Sequence, residues 1–403
     1  MVMIKNPITV VSSGGGGPSW PQDGEYNVKV IDYDGSVIAD GYFNANDVVT
    51  LPDPPTHDGL VFDEWSCSSA ITNNTVTVTN DVIAGPLYHT ASGKVEIDIY
   101  APAKMAVSCS AGGTIDWGDG TVDSNSSHKY TAEGLYTIKF EKSGAISAFN
   151  INSKIIKSVR LPSTITSLNA SAFSDCTALV TITIPSSITT LNSSCLYSCS
   201  SLICVVIPKN TQATPISNAT FQYCRSLLYI VIPYGVTSIQ SSAIYGCSAL
   251  QKIIIPSTVI TLSDSAIESN SALSSIVLSS GLKTINNYAF RSTIIYKITL
   301  PSSVTTIGNN VFQYCQSLTS IEIPNSVTTI SSGLFYSCTN CSIFDFRNYT
   351  AVPTLTNASA FSSTTGKIVV PDSLLTSWKS ASNWANLTSQ IISATEWEAL
   401  PYA

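Results

Sequence analysis

Charged side chains are scarce in this 403-residue chain, since Asp, Glu, Lys and Arg together make up only 11% of it, about half of the ~25% usual in soluble domains. Acidic groups outnumber basic ones by 26 to 19, so we expect no basic surface for nucleic acid. No apolar run reaches the ~18 residues of a membrane-spanning helix. The 44% hydrophobic content also excludes a disordered acidic tail. We therefore expect a folded protein whose polar surface comes from Ser, Thr and Asn.

Catalytic groups are scarce as well. The three histidines are His57, His89 and His128, and the sequence has no G-x-S-x-G turn, H-E-x-x-H helix or phosphate-binding glycine loop. A pair of catalytic carboxylates of the glycosidase kind is not excluded, because the separation of two carboxylates in space is not visible in a sequence. We predict a protein that is not an enzyme and needs no cofactor. For Glu322 and Asp345, which fall in neighbouring units of the repeat described next, we expect a place on a solvated rim.

An internal repeat runs from Lys154 to Pro371. Short β-branched segments end at a Pro or an equivalent slot every 22 to 25 residues, in the pattern IxIPxxVTxIxxxxFxxCxxL. The alternation in each segment predicts a short strand with every second side chain inward. One unit of this length cannot bury its inner face alone, so neighbouring units must stack into a solenoid with a continuous core.

This pattern resembles the BspA-like leucine-rich repeats of surface proteins in bacteria and some protists. The resemblance implies extracellular adhesion or ligand binding without catalysis. We assign the repeats to residues 148–371 and a C-terminal cap to 372–403, in a mostly β, multidomain protein. In the cap, Asp372 is expected to cap a helix, and Trp378 and Trp384 are expected to pack against the last coil.

Two inward columns of the repeat predict its core. The first contains Phe173, Phe221, Phe290, Phe312, Phe335 and Phe361. The second contains Cys176, Cys199, Cys224, Cys247, Cys315 and Cys338. We expect buried thiols in the second column, with disulfides or metal as the alternatives. Cys338-x-x-Cys341 has no second Cys pair or His nearby, so we predict no zinc site.

Two other columns are candidate binding surfaces. The outward strand position is apolar in four consecutive units, at Val206, Val231, Ile254 and Val277. Such a stripe indicates an exposed interface, although strand preference or cover by another segment would also explain it. Tyrosines near the Cys column could form an aromatic contact edge or only pack the turns; they are Tyr197, Tyr223, Tyr245, Tyr314 and Tyr336.

Two small β modules precede the repeat. Residues 20–92 have a hairpin signal at Asp34-Gly35 and resemble the Listeria–Bacteroides β-grasp repeat through Leu51-Pro52 and the spacing of Gly59, Phe62 and Trp65. Residues 93–147 resemble a PKD domain, an immunoglobulin-like sandwich, through WGDGT at 117–121 followed by HxY and GxYT. We expect Asp119 to form a local turn rather than join Asp116 and Asp123 in a calcium site. The resemblances imply that both modules form a stalk.

Residues 1–19 contain four consecutive glycines, Gly14 to Gly17, and are predicted to be an arm and a flexible linker. The first residues do not have the pattern of a secretory signal. We therefore predict a phage virion component that binds a glycan or protein on the host surface, with residues 1–19 attached to other virion proteins. A secreted bacterial adhesin and a structural decoration protein, which could form a homo-oligomer, are the alternatives.

Overall fold

A computed structural model describes residues 20–147, 151–209 and 215–400; the predicted arm at 1–19 lies outside them. The protein is mostly β, with 32% strand and 7% helix, and its repeats form a β-solenoid of about 11 turns. This confirms the predicted fold class. The chain divides into two compact units, one with the described residues to 209 and 223–236, the other with 215–222 and 237–400. Among the described residues, none of the helices has the length and apolar character to cross a bilayer.

The first module contains seven strands, and the Asp34-Gly35 hairpin signal is confirmed between the first two. Four strands form a mixed sheet in the order β2-β1-β7-β4, in which β1 and β7 are parallel. The other three form a small antiparallel sheet. The strands are β1 (Tyr26–Ile31), β2 (Val37–Phe43), β3 (Val48–Thr50), β4 (Leu60–Cys67), β5 (Ile71–Thr72), β6 (Thr75–Thr77) and β7 (Val82–Thr90).

The second module also contains seven strands, and its sheet continues into the repeat. β8 pairs with β13 on one side and with the first strand of the solenoid on the other. Asp119 accepts a hydrogen bond from the Thr121 amide at 3.0 Å, which confirms the predicted turn. The strands are β8 (Val95–Ala101), β9 (Ala106–Ser108), β10 (Ile115–Asp116), β11 (Val122–Asp123), β12 (Ser127–Lys129), β13 (Gly134–Phe140) and β14 (Gly144–Ile146).

The solenoid strands fall into two parallel columns, as the alternation in the repeat predicts. The strands that end before the Pro slot are β15 (Ile156–Arg160), β17 (Thr181–Thr183), β19 (Cys204–Val206), β20 (Tyr229–Val231), β22 (Lys252–Ile255), β24 (Ser275–Leu278), β27 (Ser320–Glu322), β29 (Ile343–Asp345) and β31 (Lys367–Val370). The VTxI strands are β16 (Ile165–Leu168), β18 (Thr190–Leu191), β21 (Ser238–Ile239), β23 (Thr261–Leu262), β25 (Thr284–Ile285), β26 (Thr306–Ile307), β28 (Thr329–Ile330) and β30 (Thr354–Leu355).

The Phe and Cys columns lie in the core, as predicted. All six Phe side chains are buried, and Phe312 stacks on Phe335 with ring centroids 5.7 Å apart. The cysteines of the described residues are buried free thiols. Cys338 donates its S–H to the Phe312 carbonyl of the preceding coil at 3.0 Å, and Cys315 does the same to Phe290 at 3.1 Å. The thiols therefore give these carbonyls a second hydrogen bond, since Phe312 also accepts from the Cys315 amide and Phe290 from the Thr293 hydroxyl of its own turn.

The C-terminal cap confirms one prediction and corrects another. Trp378 and Trp384 are fully buried, and Trp384 Nε1 donates to the Pro353 carbonyl at 2.8 Å. The prediction that Asp372 caps the helix through Leu375 and Trp378 is wrong, because that helix begins after Leu374 without a side-chain cap. The Asp372 carboxylate accepts instead from the Thr395 amide, in the first turn of the last helix. After a short 3₁₀ turn the cap contains α1 (Leu375–Ser380), a second 3₁₀ turn, β32 (Ile391–Ser393) and α2 (Ala394–Glu398), and β32 adds a parallel strand to β31.

Candidate functional site

The first part of the outward strand face is covered by the N-terminal module. Val206 and Val231 are only 4% and 0% exposed, and they form one cluster with Ile31 and Leu87 of the first module. The prediction that these two valines are exposed is therefore wrong. Of the explanations for the apolar stripe, cover by another segment of the chain holds here.

Strand β7 can cover this face because both of its sides are apolar. Val82 and Ala84 point into the core of the first module, while Ile83 and Leu87 belong to the cluster with the two valines. A strand places alternate side chains on opposite faces, so one strand serves two cores. Gly85 has no side chain at the crossing, where a Cβ would lie 2.7 Å from Val206. The predicted stalk role is wrong for the first module, since this module packs on the strands of the repeat; for the second module it stays a prediction.

The later part of the stripe is in the second unit. Ile254 is buried as well, which contradicts its predicted exposure, and Val277 is half-buried. Beyond Val277 the same outward column turns polar, with Thr299, Glu322 and Asp345. These three residues line an open cleft of about 560 Å³ together with Arg347 and Asn348; we call these five residues the polar cleft.

Hydrogen bonds within the polar cleft fix its side chains. The Arg347 guanidinium donates to both oxygens of Asp345, through Nε at 3.0 Å to Oδ1 and through Nη2 at 2.7 Å to Oδ2. These hydrogen bonds raise the pKa of Arg347 further above its ordinary value. Asn348 Nδ2 donates to Glu322 Oε1 at 2.5 Å. The cleft therefore presents acceptors and donors side by side in a fixed arrangement.

The predicted tyrosine edge contains two ring pairs. Tyr197 meets Tyr223 in the first unit, and Tyr314 meets Tyr336 in the second, each edge to face with centroids 5.7 Å apart. Tyr245 is half-buried. The structure thus brings Tyr197 and Tyr223, and likewise Tyr314 and Tyr336, together on the turn side of the coils. Their role in binding remains a prediction.

Comparison with known families agrees with this geometry. The profile of the BspA type leucine rich repeat region matches residues 144–274 and 268–382, which is more than half of the chain. The chain belongs to the BspA-type leucine-rich repeat family. A search of curated proteins found no match.

The chain is also similar, at low identity, to solved structures of leucine-rich repeat proteins. A leucine rich cell surface protein from Faecalibacterium prausnitzii A2-165 is 22% identical, over 65% of this chain and 86% of its own, with a TM-score of 0.36. A leucine-rich repeat protein from Eubacterium ventriosum is 18% identical, over 66% and 84%, also with a TM-score of 0.36. The T. pallidum leucine rich repeat protein is 25% identical, over 43% and 81%, with a TM-score of 0.29.

Sequence reasoning missed several residues of the polar cleft and of the tyrosine edge. Arg347 stands in the slot that every other coil except the one at Ser279 fills with Pro, and this departure from the repeat was the available signal. Asn348 follows it directly. Arg225 and Arg291 lie over tyrosine rings of the turn edge, and each was visible only as a rare charge in a Ser-rich turn. Among the residues that the structure describes, no group of three or more His, Cys, Asp or Glu could hold a metal ion.

Proposed function

We propose that this protein is a non-catalytic recognition or adhesion protein, and that the polar cleft binds a glycan on a cell surface. The observation that carries the proposal is the fixed array of Glu322, Asp345, Arg347 and Asn348 on an open face of the repeat. A surface that is already ordered loses little side-chain entropy when a ligand arrives.

The chemistry of the polar cleft suits hydroxyl groups. A sugar hydroxyl donates one hydrogen bond and accepts others, whereas a carboxylate only accepts and a guanidinium only donates. Neighbouring Asp345 and Arg347 can therefore engage one hydroxyl each, or share one. The exposed side chains of Thr299 and Lys297 also line the cleft. A protein surface with matching side chains is the second class of ligand, because Glu and Arg also form ion pairs across interfaces.

The N-terminal modules are proposed to be a β-grasp-like repeat at 20–92 and a PKD-like domain at 93–147. The strand order β2-β1-β7-β4 with a parallel central pair supports the first assignment. The buried Trp117, whose carbonyl accepts from the Tyr130 hydroxyl at 2.8 Å, supports the second. In this proposal the first module closes the strand face of the early coils and leaves ligand binding to open faces such as the polar cleft.

Binding to a panel of immobilised cell-surface glycans and to whole bacterial cells tests the cleft. The double variant Glu322→Gln and Asp345→Asn keeps the shape of the side chains and removes both charges, so we expect binding to fall at least about tenfold, as for contacts at the centre of an interface. Glu133→Gln makes the same chemical change at an exposed site outside the repeat and should bind as the unmodified protein does. Equal binding by both variants would refute the cleft as the site.

We further propose that the protein is extracellular, on a phage virion rather than on a bacterial surface, with residues 1–19 attached to other virion proteins. Mass spectrometry of purified particles and of washed cell envelopes tests this. Recovery in the envelope alone would favour the bacterial adhesin. A stable oligomer in sedimentation, together with no binding to cells or glycans, would favour the structural decoration protein.

A further inference from the structure

A guanidinium lies between two tyrosine rings on the turn side of the second unit. The Cζ atom of Arg291 is 5.4 Å from the ring centroid of Tyr288 and 5.5 Å from that of Tyr314. Both distances are within the range of cation–π attraction. Tyr336 meets Tyr314 edge to face and extends the surface by one coil. We call Tyr288, Arg291, Tyr314 and Tyr336 the Arg291 edge; it shares no residue with the polar cleft.

Tyrosine occupies two turn positions of this edge at a conformational cost. Tyr288 and Tyr314 have φ values of 60° and 61°, because their amides turn to donate to carbonyls of the next coil, at Asn309 and Tyr336. Bulky residues rarely adopt such a backbone. The equivalent positions of neighbouring coils are filled by small or polar residues with the same positive φ, namely Ser242, Ser265, Asn310, Ser269, Ser292 and Ser337.

The fold therefore does not need tyrosine at these positions. A serine meets the backbone requirement in the neighbouring coils, and part of each ring stays open to solvent, since Tyr288 is half-buried and Tyr314 is 39% exposed. Residues held in costly conformations concentrate at binding sites. The two rings thus point to a surface selected for contact with a ligand.

Arg291 retains donors that the protein does not use. Its side chain is 36% exposed, and Nη1 lies 3.4 Å from the buried carboxylate of Glu268. Within the described residues, the buried Nε has no hydrogen-bond partner. A guanidinium carries five N–H donors, and charge-assisted hydrogen bonds from them to a carboxylate are strong. With Nε buried and Nη1 beside Glu268, Nη2 is the group left for a ligand, and both tyrosine rings lie within cation–π distance of the guanidinium.

We propose that the Arg291 edge binds a glycan that carries a carboxylate, such as a sialic or uronic acid. The acid group accepts hydrogen bonds from Arg291, and the sugar ring packs on the exposed face of Tyr314. The first unit has a similar arrangement, in which Arg225 lies over Tyr223 at 5.6 Å and Tyr223 meets Tyr197. The turn edge of each unit thus offers an arginine on a tyrosine platform.

Calorimetric titration of the full chain tests the proposal with 3′-sialyllactose, trigalacturonate, lactose and a Glu-rich peptide. We expect the two acidic glycans to bind and lactose to fail. Tyr314→Ser and Arg291→Gln should each weaken binding about tenfold, as for the loss of a central aromatic or arginine contact. Ser fills this turn position with a positive φ in the two adjacent coils, at Ser292 and Ser337, so Tyr314→Ser keeps the backbone. Tyr234→Ser, which removes an exposed tyrosine elsewhere, is the control and should bind normally.

A second variant decides whether charge is recognised. Glu268→Gln removes the negative charge beside Arg291, and with it the repulsion between Glu268 and the carboxylate of the ligand. For a distance of about 6 Å between these two charges and an effective dielectric constant of about 40 to 80, an acidic ligand should bind roughly three to ten times more tightly to this variant. Weaker binding to Glu268→Gln would overturn the proposal, as would equal binding of lactose. Failure of both acidic glycans at millimolar concentration would also overturn it, and so would binding of the peptide instead. Variants of the polar cleft test the other site separately.

Discussion

Truncation of Val231 tests whether β7 covers the early coils. Val231 is completely buried in the cluster with Leu87, whereas Val277 has the same position in its coil and is only half-buried. Val231→Ala removes two carbon atoms, which is worth about 1.6 kcal/mol at about 0.8 kcal/mol per buried methylene. The cavity left under β7 adds to this, so we expect a loss of about 2–3 kcal/mol in the free energy of unfolding.

The matched variant Val277→Ala should cost less than about 1 kcal/mol, because its side chain is already in part hydrated. Urea denaturation followed by circular dichroism measures both variants. Combining Val231→Ala with Leu87→Ala should show a coupling of at least about 0.5 kcal/mol, as expected for residues in one cluster. Hydrogen exchange of the β7 amides should become faster in Val231→Ala but not in Val277→Ala. If Val231→Ala and Val277→Ala lose the same small free energy of unfolding, and the effects of Val231→Ala and Leu87→Ala are strictly additive, the conclusion that β7 covers Val231 is refuted.

Three further results are expected. Burial opposes ionisation of Asp98, but hydrogen bonds, first from Arg160 at 2.5 and 2.9 Å, outweigh burial and hold the pKa of Asp98 below its ordinary value. The stability that this pair contributes is present above about pH 4 and is lost as the pH falls further. The urea midpoints of Asp98→Asn and of the unmodified protein should therefore converge in acid. Burial raises the pKa of the Cys315 thiol to about 11, so iodoacetamide should label this thiol, by mass spectrometry, only after unfolding. Trp384→Ala should cost about 3–5 kcal/mol in thermal unfolding by leaving a cavity and an unpaired Pro353 carbonyl.

Much of the repeat was predictable from local pattern. The alternation that ends at each Pro slot places Ile321 inward, because a strand turns successive side chains to opposite faces. The regular spacing of Phe312 and Cys338 in the repeat predicts that these turn residues are buried too, because a short unit must bury its apolar columns against its neighbours. The turn columns were predictable as turns, but not the ring pairs within them. The pairing of Tyr314 with Arg291 depends on the exact stacking of coils about 22 residues apart in sequence. The repeat pattern does not give the distance between the guanidinium and the ring.

The sequence by itself determined the period, the inward columns and the β-solenoid, because these follow from alternation and from the need of each short unit to bury one face. Only the tertiary structure decided which outward face is open. An apolar outward residue such as Val231 shows that something packs on it, but the sequence does not say whether the partner is another molecule or a distant strand of the same chain. Here β7 supplies that partner for the early coils, whereas Asp345 and Glu322 of the polar cleft hydrogen-bond to Arg347 and Asn348 on an open face.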